Sequence, residues 1–259
     1  MTNYKELCEK TCLIAKEAGK FIKTERISFS PGRIEIKSAE NDLVSEVIIV
    51  HALRKLISGA CFITEEKTTN NSCDAEYCWV VDPLDGTTNF AHALAPYCVS
   101  IALLENGVPV VGVVYEITAD ECFYAWKYSA AYLNGYEIKV SETKHLNQSL
   151  IATGFSVGGD SRHEEYHHQN DYLMRHTHGF RRIGSAAADL AYIAAGRFDG
   201  FAQFNLQAWD VAAGALIAMR AGARVSDYSG GDDYIFGKEI IASNPHIYED
   251  YKMLITSTK

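Results

Sequence analysis

Leu7, Thr11, Ile14, Ala18 and Phe21 recur at helical spacing among charged residues, so residues 4 to about 24 are predicted to form an amphipathic helix. A second, shorter helix is predicted between Val47 and Ile57. Cys78-Trp79-Val80-Val81 reads as a buried strand ending on Asp82-Pro83, since a short apolar run followed by proline cannot continue as helix. From Tyr97 to Ile117 two apolar runs flank Asn106-Gly107, and two further strands flank Asn134-Gly135. Asn-Gly favours tight hairpin turns, so this stretch predicts antiparallel sheet. Ser185 to Ala195, closed by Gly196, and Asp210 to Ala221, closed by Gly222, carry helix start and stop signals. Ile240-Ile241-Ala242 predicts a strand, and Pro245 opens a last helix toward Ile255. Helix and sheet alternate in blocks without repeat or linker, which argues for a layered α+β or α/β sandwich.

Composition adds little to that picture and excludes some partners. The 259 residues are 47% hydrophobic and 22% charged, an ordinary globular balance. With 24 basic against 33 acidic side chains the formal net charge is -9, which gives no electrostatic footprint for nucleic acid or for an anionic membrane. A negative chain that handles phosphate needs bound cations. The seven cysteines are odd in number and scattered, unlike a zinc ribbon or a disulfide scaffold, so reduced thiols in a cytoplasm are expected. No apolar run reaches the ~18 residues of a membrane span, and the N-terminal residues lack a signal-peptide core.

The densest chemical signal is Asp82-Pro83-Leu84-Asp85-Gly86-Thr87-Thr88-Asn89-Phe90. Two carboxylates on a sharp bend after a buried strand can point to one side and share hard cations, which prefer oxygen ligands. The Gly86-Thr87 backbone that follows can present N–H groups to an anion at the start of a helix. A lone Asp-x-x-Asp reads more readily as a self-capped turn. Here Glu65-Glu66 lies upstream and Trp209-Asp210-Val211-Ala212-Ala213-Gly214 downstream, and the combination shifts the balance.

Taken together, these motifs resemble the inositol monophosphatase family, over nearly the whole chain from the first helix to Ile240-Ile241-Ala242-Ser243-Asn244, and its bacterial branch most. The resemblance implies a five-layer αβαβα sandwich of the α+β class, with one unit over residues 1–259. A metal-binding half would span 1–143, and an α/β half carrying the Trp-Asp motif 144–259. It implies that Glu65, Asp82 and the Leu84 carbonyl hold one Mg²⁺ and that Asp82, Asp85 and Asp210 hold a second, with a third, weaker ion leaning on Glu65. Thr87 would position the attacking water, and Gly86 and Thr87 would contact phosphate. Gly184, Ser185 and Ala186 would meet the organic part of the substrate. The implied activity is hydrolysis of a small phosphate monoester, inositol 1-phosphate first, by a cytoplasmic homodimer. Fructose 1,6-bisphosphate or a 3′-phosphonucleotide is the alternative substrate, and a catalytically weakened protein that acts through a partner is the alternative role.

The chain departs from the family pattern twice. Gln203 stands where the family has a glutamate for a sugar or inositol hydroxyl, and an amide loses the charge-assisted bond. After Asn41-Asp42-Leu43-Val44-Ser45-Glu46 about two helical turns are missing, and with them the aspartate that partners the catalytic threonine. Glu46 or Ser45 is the candidate replacement. The remaining polar clusters read as surface: His163, His167 and His168 on a solvated helix, His176 and His178 alternating as on a strand, and Lys37 on a surface strand.

Overall fold

The computed structural model describes residues 2–27, 34–69, 75–155 and 162–257, with side chains for all of these but residues 26–41 and His163. Cys73 lies outside the described residues. The chain folds as five stacked layers. The first holds α1 (Tyr4–Ile27) and α2 (Ile34–Leu53). They cover one face of a sheet made of β1 (Cys61–Thr64), β2 (Tyr77–Asp85), β3 (Cys98–Glu105), β4 (Val108–Glu116), β5 (Glu121–Trp126), β6 (Ala131–Leu133) and β7 (Tyr136–Ile138), in sequence order. Ile14, Ala18, Ile49, Leu53, Trp79 and Ile101 interlock in that interface. The opposite face packs on α5 (Ala186–Ala194) and α6 (Ala208–Arg220), through alanines that let the helices approach closely.

Below these helices lies a second sheet of β8 (Leu150–Thr153), β9 (Gly179–Arg181), β10 (Gly200–Phe204), β11 (Arg224–Ser226) and β12 (Glu239–Ser243), in the order β11-β12-β10-β8-β9. The last layer is α4 (His163–His176) with α7 (Tyr248–Thr256), over Ile151, Phe204 and Ile241. A short helix, α3 (Thr87–Ala91), leaves the end of β2. This is the αβαβα sandwich that the resemblance implied.

Both Asn-Gly turns form as expected, with all four residues at positive φ, which matches the twist of the flanking strands. β2 differs from expectation by running through Pro83 to Asp85. A register shift between Asp82 and Asp85 absorbs the proline, which has no N–H to give the ladder. His176 ends α4 and is exposed, as are His167 and His168, so the surface reading holds although His176 is not on a strand.

The largest correction concerns α2. It begins at Ile34, well before the expected Val47, so Lys37 lies on a helix rather than on a strand. Its inner face carries Asp42, Ser45 and Glu46 together with Ile49, Val50 and Leu53, while Leu43, Val44, Val47 and Ile48 are exposed. Over residues 42–48 this helix buries polar groups and exposes aliphatics, so periodicity finds an inward apolar stripe only from Ile49 on.

Candidate metal centre and cavity

β2 carries Asp82 into the interior, where its Oδ1 accepts the Leu84 N–H at 2.9 Å, the self-capped turn that the spacing allows. Asp85 follows at the strand end. Gly86 then turns the chain in the left-handed region at φ 96°, and a Cβ there would lie 3.0 Å from the Pro96 carbonyl oxygen. α3 starts at once, with the Phe90 N–H bonded to the Gly86 carbonyl at 2.9 Å, so the N–H groups before it have no intrahelical partner. The Thr87 hydroxyl donates to the Leu84 carbonyl at 3.0 Å.

Glu65 reaches the same place from a neighbouring strand. β1 pairs in parallel with β2, Thr64 opposite Val81, and the Glu65 N–H continues the ladder to the Val81 carbonyl at 3.3 Å. This brings the Glu65 carboxyl within hydrogen-bond reach of Asp82. The turn after Glu65 is held by Glu46, fully buried on α2, whose carboxylate accepts the N–H groups of Glu66 at 2.7 Å and Thr68 at 2.8 Å and the Thr68 hydroxyl at 2.5 Å. Glu46 is therefore committed to that turn and does not take the vacated place beside Thr87. Ser45 is buried with its hydroxyl unbonded, and Thr87 bonds to Leu84 instead. Sequence reasoning missed the Glu46 anchor because its partners are backbone groups on a distant loop.

Asp210 arrives across the interface, in the first turn of α6, with its Oδ2 accepting the Gln207 N–H at 2.6 Å in a capping box. α6 is docked on the upper sheet here, where the Ser100 hydroxyl donates to the Trp209 carbonyl at 3.1 Å. Carboxylate oxygens of Asp82, Asp85 and Asp210 then lie within 4.8 Å of one another. Burial, and after it the charges of Glu65, Asp85 and Asp210, push the Asp82 carboxyl well above the ordinary carboxylate range. Burial also raises Asp210 to about 8, with Asp85 adding to it, and Glu65 to about 7. Asp85 rises only to about 6, because burial is opposed by hydrogen bonds from the Ser185 hydroxyl at 2.6 Å and the Ala187 N–H at 2.7 Å. Close, buried and repelling carboxylates are the all-oxygen donor set that a hard divalent cation relieves.

A cavity of about 220 Å³ opens beside the carboxylates, bounded by Asp85, Gly184, Ser185, Ala186, Gln203 and Asp210 among others. Ser185 caps α5 by accepting the Ala188 N–H at 3.2 Å while its hydroxyl serves Asp85, so capping and site construction coincide in one side chain. Asn89 clamps the two walls. Its amide donates to the Pro96 carbonyl at 2.8 Å and to the Ile183 carbonyl at 2.7 Å, which ties α3 to the loop before α5. Gln203 lies folded against Gly154, where a Cβ would fall 1.7 Å from its Oε1. Of the residues singled out in the sequence, Asp82, Asp85 and Asp210 converge, Glu65 reaches Asp82, and Asp85, Gly184, Ser185, Ala186, Gln203 and Asp210 line the cavity, whereas Glu46, Asn89 and Asp189 were not foreseen in the places they occupy.

Comparison with known proteins identifies the family. The model of the inositol monophosphatase family matches residues 3–258. A putative Nus factor SuhB of Neisseria meningitidis serogroup B is 40% identical over 216 residues, 83% of each chain. An inositol-1-monophosphatase of Mesorhizobium japonicum is 39% identical over 206 residues, 80% of this chain and 77% of that one. Among solved structures, the inositol monophosphatase of Anabaena sp. PCC 7120 superposes with a TM-score of 0.88 at 34% identity, covering 99% of this chain and 97% of that one. The extragenic suppressor protein SuhB of Bartonella henselae gives 0.87 at 36%, covering 96% and 99%. By sequence over nearly its full length and by fold, the chain belongs to the inositol monophosphatase family.

Proposed function

We propose that the protein is a magnesium-dependent phosphomonoesterase of the cytoplasm, acting on inositol 1-phosphate or a phosphate monoester of similar size. One observation carries this reading: buried Asp82 and half-buried Asp85 and Asp210 converge their carboxylate oxygens, raised by desolvation and mutual repulsion, with Asp85 and Asp210 lining a polar cavity. Glu65, Asp82, the Leu84 carbonyl, Asp85 and Asp210 are the groups that would hold Mg²⁺. Such ions supply Lewis acidity at phosphoryl oxygens and ease deprotonation of the attacking water.

The chain's own groups do the rest. Thr87, with its proton given to Leu84, keeps its oxygen lone pairs free to accept from and orient a water. The Gly86 turn aims the first N–H groups of α3, Thr87 included, at the phosphoryl oxygens, while its own N–H serves the Asp85 carboxylate. Ser185 and the N–H of Ala187 fix the Asp85 carboxylate in one orientation, leaving its Oδ1 to face the reaction. The cavity is below the range of about 300–1,000 Å³ typical of drug-sized sites. That favours a single-ring alcohol over a 3′-phosphonucleotide. The test is release of inorganic phosphate from a panel of monoesters, with Mg²⁺ and with chelator; turnover indifferent to the chelator would defeat the reading.

A second reading, action through a protein partner, is supported by the exposed aliphatics of α2, Leu43, Val44, Val47 and Ile48, together with relatives that carry the name Nus factor. Substituting Val47 and Ile48 with serine separates the two, because it spares phosphate release and abolishes a partner-dependent role. A homodimer, expected from the family, is checked by sedimentation.

A further inference from the structure

The cavity contains a carboxyl group that the proposed reaction does not use. Asp189 sits in the first turn of α5, one turn beyond Ser185, and is only 1% exposed. It borders the cavity together with Gln203 and Arg182, yet its Oδ1 has no hydrogen-bond partner. Arg182, whose guanidinium stacks 4.3 Å over the Phe155 ring, acts on it only from a distance. Asp42 on α2 also has an unpartnered Oδ1, but it does not border this cavity; two further buried acids are satisfied by the protein. Glu116 accepts from the N–H groups of Thr118 and Ala119 and from the Thr118 hydroxyl, and Asp199 from the Ser141 hydroxyl and the Leu150 N–H.

An orphaned buried carboxyl lowers stability, so a partner must come from elsewhere or the group is a pure loss. Asp189 lines the cavity, and a ligand held there can supply one. Resting on the phosphomonoesterase reading, we infer that Asp189 is a specificity-determining contact: with the Gln203 amide, it hydrogen-bonds hydroxyls of the substrate's alcohol, and so selects ring-sized polyol phosphates over monoesters whose alcohol carries no hydroxyl. Asp189 contributes to recognition of the alcohol and takes no part in bond cleavage.

The test compares Asp189→Asn and Asp189→Leu with the unaltered protein on inositol 1-phosphate and on 4-nitrophenyl phosphate. Losing a hydrogen bond from a carboxyl should raise KM for the polyol ester about tenfold in the leucine variant and less in the asparagine variant. The aryl ester should change less than twofold in kcat/KM. The leucine variant should also melt at higher temperature than the parent, since a buried orphan has been removed; with a residue kept for structure it would melt lower. Tyr251→Phe is the control, because the Tyr251 hydroxyl is also buried without a partner and is the neighbour to which a structural Asp189 would turn. Equal losses on both esters, a lower melting temperature of the leucine variant, or the same discrimination lost in Tyr251→Phe overturns the inference. Should the parent hydrolyse neither ester, the phosphomonoesterase reading fails by itself. Calorimetry of free myo-inositol with Mg²⁺ and inorganic phosphate then decides the contact, with weakened binding in Asp189→Leu supporting it and unchanged binding refuting it.

Discussion

Two groups of buried acids in this molecule have opposite surroundings. Glu116 and Asp199 are held by backbone N–H groups and hydroxyls, at the end of β4 and beside β8, where they fasten loops. Asp82, Asp85 and Asp210 face one another, with Glu65 alongside, and are pushed toward protonation. Low exposure is common to both groups, and both accept protein hydrogen bonds. What separates them is whether other carboxylates crowd the acid: Asp82, Asp85 and Asp210 converge and repel, and that excess charge is left to be met by a ligand.

The sharpest break in this contrast comes from Asp82→Asn. Under the proposed reading several kcal/mol of transition-state stabilisation would depend on cation binding there, so turnover should fall on the order of 10³-fold or more, while the metal-free protein should melt at a higher temperature because a repelling buried group is gone. Full activity at saturating Mg²⁺ would remove Asp82 from the functional group. Glu116→Ala should do the reverse. It leaves the Thr118 and Ala119 N–H groups without their acceptor and should cost about 3 kcal/mol in denaturant unfolding. Its kcat per folded molecule should stay within twofold.

Glu46 combines both characters, being a satisfied acid whose partners hold the turn next to Glu65. Glu46→Ala should weaken Mg²⁺ affinity by about 10–100-fold, the usual effect of losing the support behind a ligand, with a smaller change in kcat at saturating metal. Titration of activity with Mg²⁺ reads both. A kcat loss with unchanged affinity would place Glu46 in the chemistry instead.

The smallest effect is on pH dependence. Asp85 at about 6, Glu65 at about 7 and Asp210 at about 8 all lie above the carboxylate range of the unfolded chain, near 4. Between these limits the native state holds more protons than the unfolded state, so metal-free stability declines as pH rises from about 4 to about 8. A cation held as proposed would bind the deprotonated cluster and oppose that decline. The rise in melting temperature on replacing chelator with Mg²⁺ should therefore grow from pH 5 to pH 8; a constant increment would mean that the cluster is not where the metal binds.

Local chemistry made much of the centre legible before any coordinates. The run from Asp82 to Phe90 carries its own bend, its glycine at positive φ and its helix start, so its geometry is set within nine residues. The Asn-Gly hairpins are equally local, and α5 and α6 announce their ends with Gly196 and Gly222. The first half of α2 was illegible for a physical reason: Asp42, Ser45 and Glu46 face inward, and a pattern read as hydrophobic-inside points such a helix the wrong way.

What only the tertiary structure decided is which groups meet, and which of them go without partners. The parallel pairing of β1 with β2 sets Glu65 beside Asp82, and the docking of α6 on the upper sheet carries Asp210 across more than a hundred residues of sequence to the same point. Within the alanine-rich α5, Asp189 looks in the sequence like any polar residue of a first turn. Hydrogen bonding to a backbone or to a ligand depends on three-dimensional enclosure, because a carboxylate that water could reach would need neither. The sequence determined the kinds of groups available and their local geometry; the packing of the layers determined which acids were enclosed with dipoles around them and which were left facing a cavity.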